Sequence, residues 1–206
     1  MPRKKKHEKY IRVLAFDPSM KITGYSILDY DKLTDTIYLY RVGKLVISEI
    51  LKNTQLKEEN KNFDRQFTAM EGIGDEAFKL MQEYKPAYVV SESAYLGVSY
   101  KAVMALSKII FKLRSVCKEY NNRDIYMVAP KQTKAEITDD ANADKIKVRD
   151  CLLTNEKLNL VIPKSINLEK LVFDETDAIG HGVTFIKRSL PTILLEQQKR
   201  DHDSDN

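Results

Sequence analysis

Cysteine is scarce: only Cys117 and Cys151 occur in 206 residues, far apart and in apolar surroundings. Paired-cysteine zinc sites and a disulfide framework are thereby excluded, and both residues are expected as buried thiols in a reducing cytoplasm. Glycine and proline are also few, seven and six, and no stretch is rich in them or in serine. Collagen-like and low-complexity architectures drop out, as does an internal linker, and no internal repeat is present. Long uncharged apolar runs are missing too. The best candidate, Val98 to Lys118, is interrupted by Lys101, Lys108 and Lys112, so no membrane span is expected. Ile11–Phe16 is too short, and too broken by Arg12, for a signal-peptide core. The expectation is a soluble, unexported, cytoplasmic protein with no membrane partner.

What the chain does have is apolar mass. Hydrophobic types make up 43%, and Tyr and Phe together number eighteen. At this length that suffices to bury a core without staples, which excludes global disorder. Lys and Arg number 34 against 30 Asp and Glu, a net charge of +4. Six of these bases (Arg3, Lys4, Lys5, Lys6, Lys9 and Arg12) lie in the first twelve positions. Val98–Lys118 carries five more, Lys101, Lys108, Lys112, Arg114 and Lys118, with no acid. Such patches suit a polyanion, because each phosphate neutralised releases counterions. A solvated tail and a solvated helix face are the competing explanation.

Periodicity then divides the chain. Ile11–Phe16 is almost wholly apolar, as in a strand covered on both faces. Tyr25–Leu28 and Thr36–Ser48 follow too closely for crossover helices and should pair antiparallel, with turns at Asp29–Lys32 and Val42–Lys44. Phe63, Phe67, Met70, Ile73, Ala77 and Leu80 recur at helical spacing, which predicts a helix from Asn60 to Tyr84, stopped by Pro86. Ala87–Ser91 reads as a fourth strand and Ser99–Tyr120 as a second long helix, with Lys101, Lys108 and Lys112 in one stripe. Ile125–Ala129 is a fifth strand, ended by Pro130; Ala143–Leu153 and Asp174–Arg188 are further helices, and Gln197–Asn206 is a polar, frayed end. This order predicts an α/β fold whose five-stranded mixed sheet has three antiparallel strands, then two parallel ones, flanked by helices.

Carboxylates sit at telling places in that scheme. Asp17 follows the first strand at once and precedes Pro18, and Glu92 closes the fourth strand in the same way. If those strands are parallel neighbours, both acids emerge at one sheet edge, where α/β sites lie. Asp174 and Asp177 share a helix face, and His181, four residues further, shares it too. Clustered carboxylates repel one another unless they take up protons or bind cations. Hard oxygen donors suit Mg²⁺ or Mn²⁺, and two such ions support in-line phosphoryl displacement. Taken singly, each acid has a bland reading as a turn or a helix N-terminal charge, and a lone His on a helix is more often structural.

The segment Val13-Leu14-Ala15-Phe16-Asp17-Pro18-Ser19-Met20-Lys21-Ile22-Thr23-Gly24-Tyr25 resembles the first motif of the RuvC-type Holliday junction resolvases. Val90-Ser91-Glu92-Ser93-Ala94-Tyr95 is similar to the second, and Asp174-Glu175-Thr176-Asp177-Ala178 to the closing Asp-x-x-Asp-Ala helix. Pro130 through Lys134, with Lys145, resembles the basic segment before and within the penultimate helix. The match runs in order over most of Arg12–Arg188. It implies a ribonuclease-H-like fold and a dimeric, metal-dependent endonuclease that nicks branched DNA symmetrically. It also implies Asp17, Glu92, Asp174 and Asp177 as catalytic metal ligands for Mg²⁺, with Mn²⁺ as substitute, at two ions per site. Lys145 would sit at the scissile phosphate, Lys131 and Lys134 would hold backbone phosphates, and Tyr95 would stack on a base near the crossover; Lys101 joins the DNA-binding set from its helix stripe. Ser19 departs from the usual Gly, and Thr138-Asp139-Asp140-Ala141-Asn142 is acidic where the family has a Gly-containing loop. The expected division is a nuclease domain at 10–190, a basic extension at 1–9 and a polar tail at 191–206. Rival readings are a same-fold nuclease acting on flaps, forks or RNA–DNA hybrids, a catalytically silent DNA binder, and a sugar-kinase-like phosphotransferase. The last needs a Gly-rich phosphate loop, for which Gly72-Ile73-Gly74 inside a helical pattern is a poor candidate.

Overall fold

Alternate side chains of one strand fill two different cores in the computed structural model, which describes residues 10–62, 64–94 and 100–204. In β1 (Tyr10–Asp17), Val13, Leu14, Ala15 and Phe16 are all fully buried. Val13 and Ala15 enter one apolar cluster, Leu14 and Phe16 the other, as the two-residue period of a strand requires. Strands β2 (Ile22–Asp31) and β3 (Thr36–Val46) continue antiparallel from it. The short α1 (Ile47–Ile50), α2 (Thr54–Asn62) and the long α3 (Arg65–Tyr84) lead back to β4 (Tyr88–Glu92), which lies parallel to β1. Then come α4 (Tyr100–Asn121), β5 (Tyr126–Val128), α5 (Pro130–Thr138), α6 (Lys145–Thr154), β6 (Leu160–Val161) and α7 (Phe173–Thr184). A π-helical turn, Phe185–Ser189, joins α7 to α8 (Leu190–Ser204). The sheet order is β5-β4-β1-β2-β3-β6. Ile73, Leu80, Ile109 and Leu113 of α3 and α4 pack on one face, and Ile137, Val148, Ile179 and Val183 of α5, α6 and α7 on the other.

The α/β class and the mixed sheet are as expected, with one strand more. β6 is only two residues long and pairs parallel with Ile37 and Tyr38, too short to leave a periodic signal. Val42-Gly43-Lys44 is not a turn: it runs through β3, where Gly43 lies against the Tyr25 ring. The helix expected from Asn60 begins at Arg65, because Asp64 caps it by accepting from the Gln66 N–H; Phe63 lies outside the described residues. The segment from 191 is helical to Ser204 rather than a tail, with Leu190 fully buried and Ile193 and Leu194 against the core. Pro191 has no N–H to give and its ring crowds the preceding turn. The π turn absorbs this, Leu190 N–H reaching back to the Phe185 carbonyl. No helix among the described residues is long and apolar enough to cross a membrane.

Candidate metal centre and nucleic-acid interface

Strand register brings the first two acids together. Phe16 is paired with Ser91 in the parallel β1–β4 ladder, so Asp17 and Glu92, one residue on, emerge side by side. On the other flank Asp17 pairs with Gly24 of β2. A Cβ at Gly24 would stand 1.9 Å from the Asp174 carbonyl oxygen; only glycine lets the first turn of α7 lie on β2 here. The Ser26 hydroxyl, donating to the Ala178 carbonyl at 2.9 Å, holds the next turn. Ser19, where the family has Gly, staples the connection: its Oγ accepts from the Ile22 N–H at 3.1 Å and donates to the Ile22 carbonyl at 2.6 Å.

Asp17, Glu92 and His181 each offer a ligand atom within 4.8 Å of the others. Asp177 and Lys145 line the same cleft of about 280 Å³, with Thr133 and Lys134 of α5 and Leu106 of α4. Lys145 Nζ donates to Asp177 Oδ2 at 2.6 Å. Burial opposes the charge of Lys145, yet the hydrogen bond to Asp177 and the charges of Asp177, Asp17 and Asp174 outweigh it and raise its pKa. Glu92 is pushed up to about 7, by burial first and the Asp17 charge second. Burial and the Asp17 charge also raise Asp174. Asp177 is raised by burial although Lys145 pulls the other way. Crowded carboxylates short of counter-charge are what a cation site looks like to its own side chains. The donors fit a divalent cation: hard oxygens, partly dry, and one buried ring nitrogen without a hydrogen-bond partner, His181 Nε2.

The other expected residues are placed less uniformly. Lys134 lines the cleft, whereas Lys131 and Lys101 are exposed outside its lining. Tyr95 lies outside the described residues. The basic stripe on α4 is not a free polyanion surface along its length: Lys112 pairs with Glu71 of α3, and Arg114 grips Asp124 through two bonds of 2.7 and 2.6 Å. Glu71 is 41 residues from Lys112 and Asp124 ten from Arg114, both outside the acid-free run of Val98–Lys118. Asp139 and Asp140 are met by Lys157 and Lys147, both at 3.3 Å. Glu175 lies off the shared face of Asp174 and Asp177: it is buried, and its Oε2 accepts from the Val172 N–H at 2.9 Å as a helix cap. Gly72 and Gly74 are buried inside α3 and form no phosphate loop. Sequence reasoning passed over Thr133, whose Oγ1 lies 2.8 Å from His181 Nδ1; a Thr three residues past a strand-ending Pro carries no signal by itself.

No protein-family model matches the chain. The crossover junction endodeoxyribonuclease RuvC of Fusobacterium nucleatum is 27% identical over 139 residues, which are 68% of this chain and 65% of that protein. This chain thus spans just under two thirds of that relative. The structure of Thermus thermophilus RuvC in complex with a Holliday junction substrate superposes with a TM-score of 0.63 at 13% identity, over 84% of this chain and 92% of that one. The yeast mitochondrial Holliday junction resolvase gives 0.58 at 13% identity, over 85% and 78%. The fold is the one these proteins share.

Proposed function

We propose, from the premise that this chain has the ribonuclease-H-like fold and the ordered motifs of the RuvC-type resolvases, that it is a crossover junction endodeoxyribonuclease. It resolves Holliday junctions or other branched DNA in the cytoplasm by paired symmetric nicks. The observation that carries this reading is the meeting of Asp17 and Glu92, at the ends of adjacent parallel strands, with Asp177 of α7 and Lys145 in one cleft.

Asp17, Glu92, Asp174 and Asp177 hold two Mg²⁺ ions, or Mn²⁺ in their place. Bound there, such ions supply an activated water and stabilisation of the leaving oxygen. The protein does the rest. Gly24 lets the backbone of Asp174 close onto β2 beside the strand pair that carries Asp17. Lys145 fixes the Asp177 carboxylate and offers the scissile phosphate a positive charge from the cleft wall. Lys134, with Lys131 and Lys101 further out, holds backbone phosphates without reading bases. Tyr95 stacks on a base at the branch point.

Two protomers act together, because a four-way junction has two-fold symmetry and two strands to cut. The surface for that pairing is the apolar strip where α3 and α4 meet: Phe67, Met104 and Phe111 are 54, 44 and 70% exposed, with Met70 and Lys108 between them. Such a strip is unusual on a surface meant for water alone. The test is incubation of the full chain with a synthetic four-way junction, a flap and a linear duplex, with Mg²⁺ or with chelator. Symmetric nicks in the junction that require the ion are expected. Preferred cutting of the flap would replace the substrate, and no ion-dependent cutting of any branched DNA would remove the nuclease reading.

A further inference from the structure

His181 lies one helical turn beyond Asp177 on α7, buried to 3% exposure, with a ring nitrogen within 4.8 Å of a carboxylate oxygen of each strand-end acid. Its Nδ1 shares a 2.8 Å hydrogen bond with Thr133 Oγ1 of α5. Its Nε2 has no hydrogen-bond partner; the nearest carboxylate oxygen, Asp17 Oδ1, is 3.8 Å away, beyond hydrogen-bond reach. A buried polar atom left without a partner destabilises the fold. That cost is tolerated where another ligand takes up the atom.

We propose that His181 Nε2 is a direct ligand of the divalent cation held by Asp17 and Glu92, and that this nitrogen biases the site toward Mn²⁺ over Mg²⁺. The inference rests on the metal-site reading above and goes beyond the four acids. Thr133 is the positioning residue. With the proton on Nδ1 donated to Thr133 Oγ1, Nε2 presents its lone pair to the space between the carboxylates, the arrangement in which ligating histidines are held. Adjacent ligands around an ion at roughly 2.1 Å stand roughly 3 Å apart, and opposite ones roughly 4.2 Å. The 3.8 Å between Nε2 and Asp17 falls between these. A ring nitrogen suits a transition ion better than Mg²⁺, whereas the carboxylates accept either.

The experiment is Mn²⁺ titration of the full chain without DNA, read by calorimetry and by pulsed electron paramagnetic resonance. A directly bonded ¹⁴N coupling is expected in the wild type, absent in His181→Gln and retained in His202→Gln. His181→Gln should weaken Mn²⁺ binding by tenfold or more while Mg²⁺ affinity changes less, so that the preference between the ions collapses. Thr133→Val, which keeps the shape and removes the hydroxyl, should keep the nitrogen coupling and lose about 10–100-fold in Mn²⁺ affinity; it serves also if His181→Gln folds poorly. Mn²⁺ bound with no nitrogen coupling overturns the assignment of His181 and leaves the acidic site standing. No Mn²⁺ binding at all overturns both.

Discussion

Replacing Asp17 by Asn keeps the size of the side chain and removes its charge, at the one acid flanked by both Glu92 and the first turn of α7. Asp17→Asn should abolish junction cleavage, while binding measured by gel shift in chelator stays equal or tightens, since one fewer anion faces the phosphates. Cleavage at a near wild-type rate in Mg²⁺ would falsify the metal assignment. Lys131 and Lys134 work in the opposite sense. Replacing either with Ala should weaken binding about equally on all junction sequences. The dependence of log affinity on log salt should become shallower by roughly one for each phosphate no longer neutralised. Weakening confined to one sequence would mean that the residue reads a base.

Among the elements, α7 carries the largest load, because its first two turns carry Asp174 and Asp177 and its cap keeps the first of them wound. Glu175→Ala leaves the Val172 N–H without its partner, and losing such a cap costs about 0.5–2 kcal/mol. Thermal melting should show that loss, with cleavage at a permissive temperature little changed. Gly24→Ala puts a methyl into the Asp174 carbonyl, so either β2 or α7 must move. Overpacking of that kind costs typically about 1–3 kcal/mol, and on the proposed assignment of Asp174 as a metal ligand it should lower cleavage as well. The strand ends bearing Asp17 and Glu92 were legible in the sequence since an apolar run closed by an acid, repeated after a helix, has one economical parallel arrangement. The three-residue spacing of Asp174 and Asp177 was legible from helical geometry alone. The pairing of Lys112 with Glu71 and the hydrogen bond between Thr133 and His181 were not. Both depend on partners whose positions only the assembled layers determine; Glu175 caps Val172 three residues away, a local contact that helix-start spacing can signal.

At the scale of the whole molecule, the site makes the folded state hold protons that the unfolded chain releases. Glu92, Asp174 and Asp177 are raised chiefly by burial, with Asp17 adding to each. His181 is raised too: burial opposes its charge, but Asp17, Glu92 and Asp177 outweigh it. For the acids, stability without a cation begins to fall near their unfolded values of about 4 and, for Glu92, continues to about 7. For His181 the favourable contribution is complete below about 6.5 and is lost as pH rises through its raised folded value. All four therefore act in one direction, more protons being bound folded than unfolded. The exposed acids lowered by partners, Asp124 by Arg114 and Asp140 by the Asn142 N–H, act the other way, but their contribution varies only below about pH 4 and is constant above it. In chelator, the melting temperature should thus decline from pH 5 to pH 8, with Glu92 accounting for at most about 3 kcal/mol. A divalent cation does the work of the protons, so added Mg²⁺ or Mn²⁺ should raise the melting temperature far more at pH 8 than at pH 5. Glu92→Gln should flatten the decline in chelator and lose most of the cation response. A melting temperature that climbs from pH 5 to pH 8 without any ion would mean that these carboxylates do not share one crowded site.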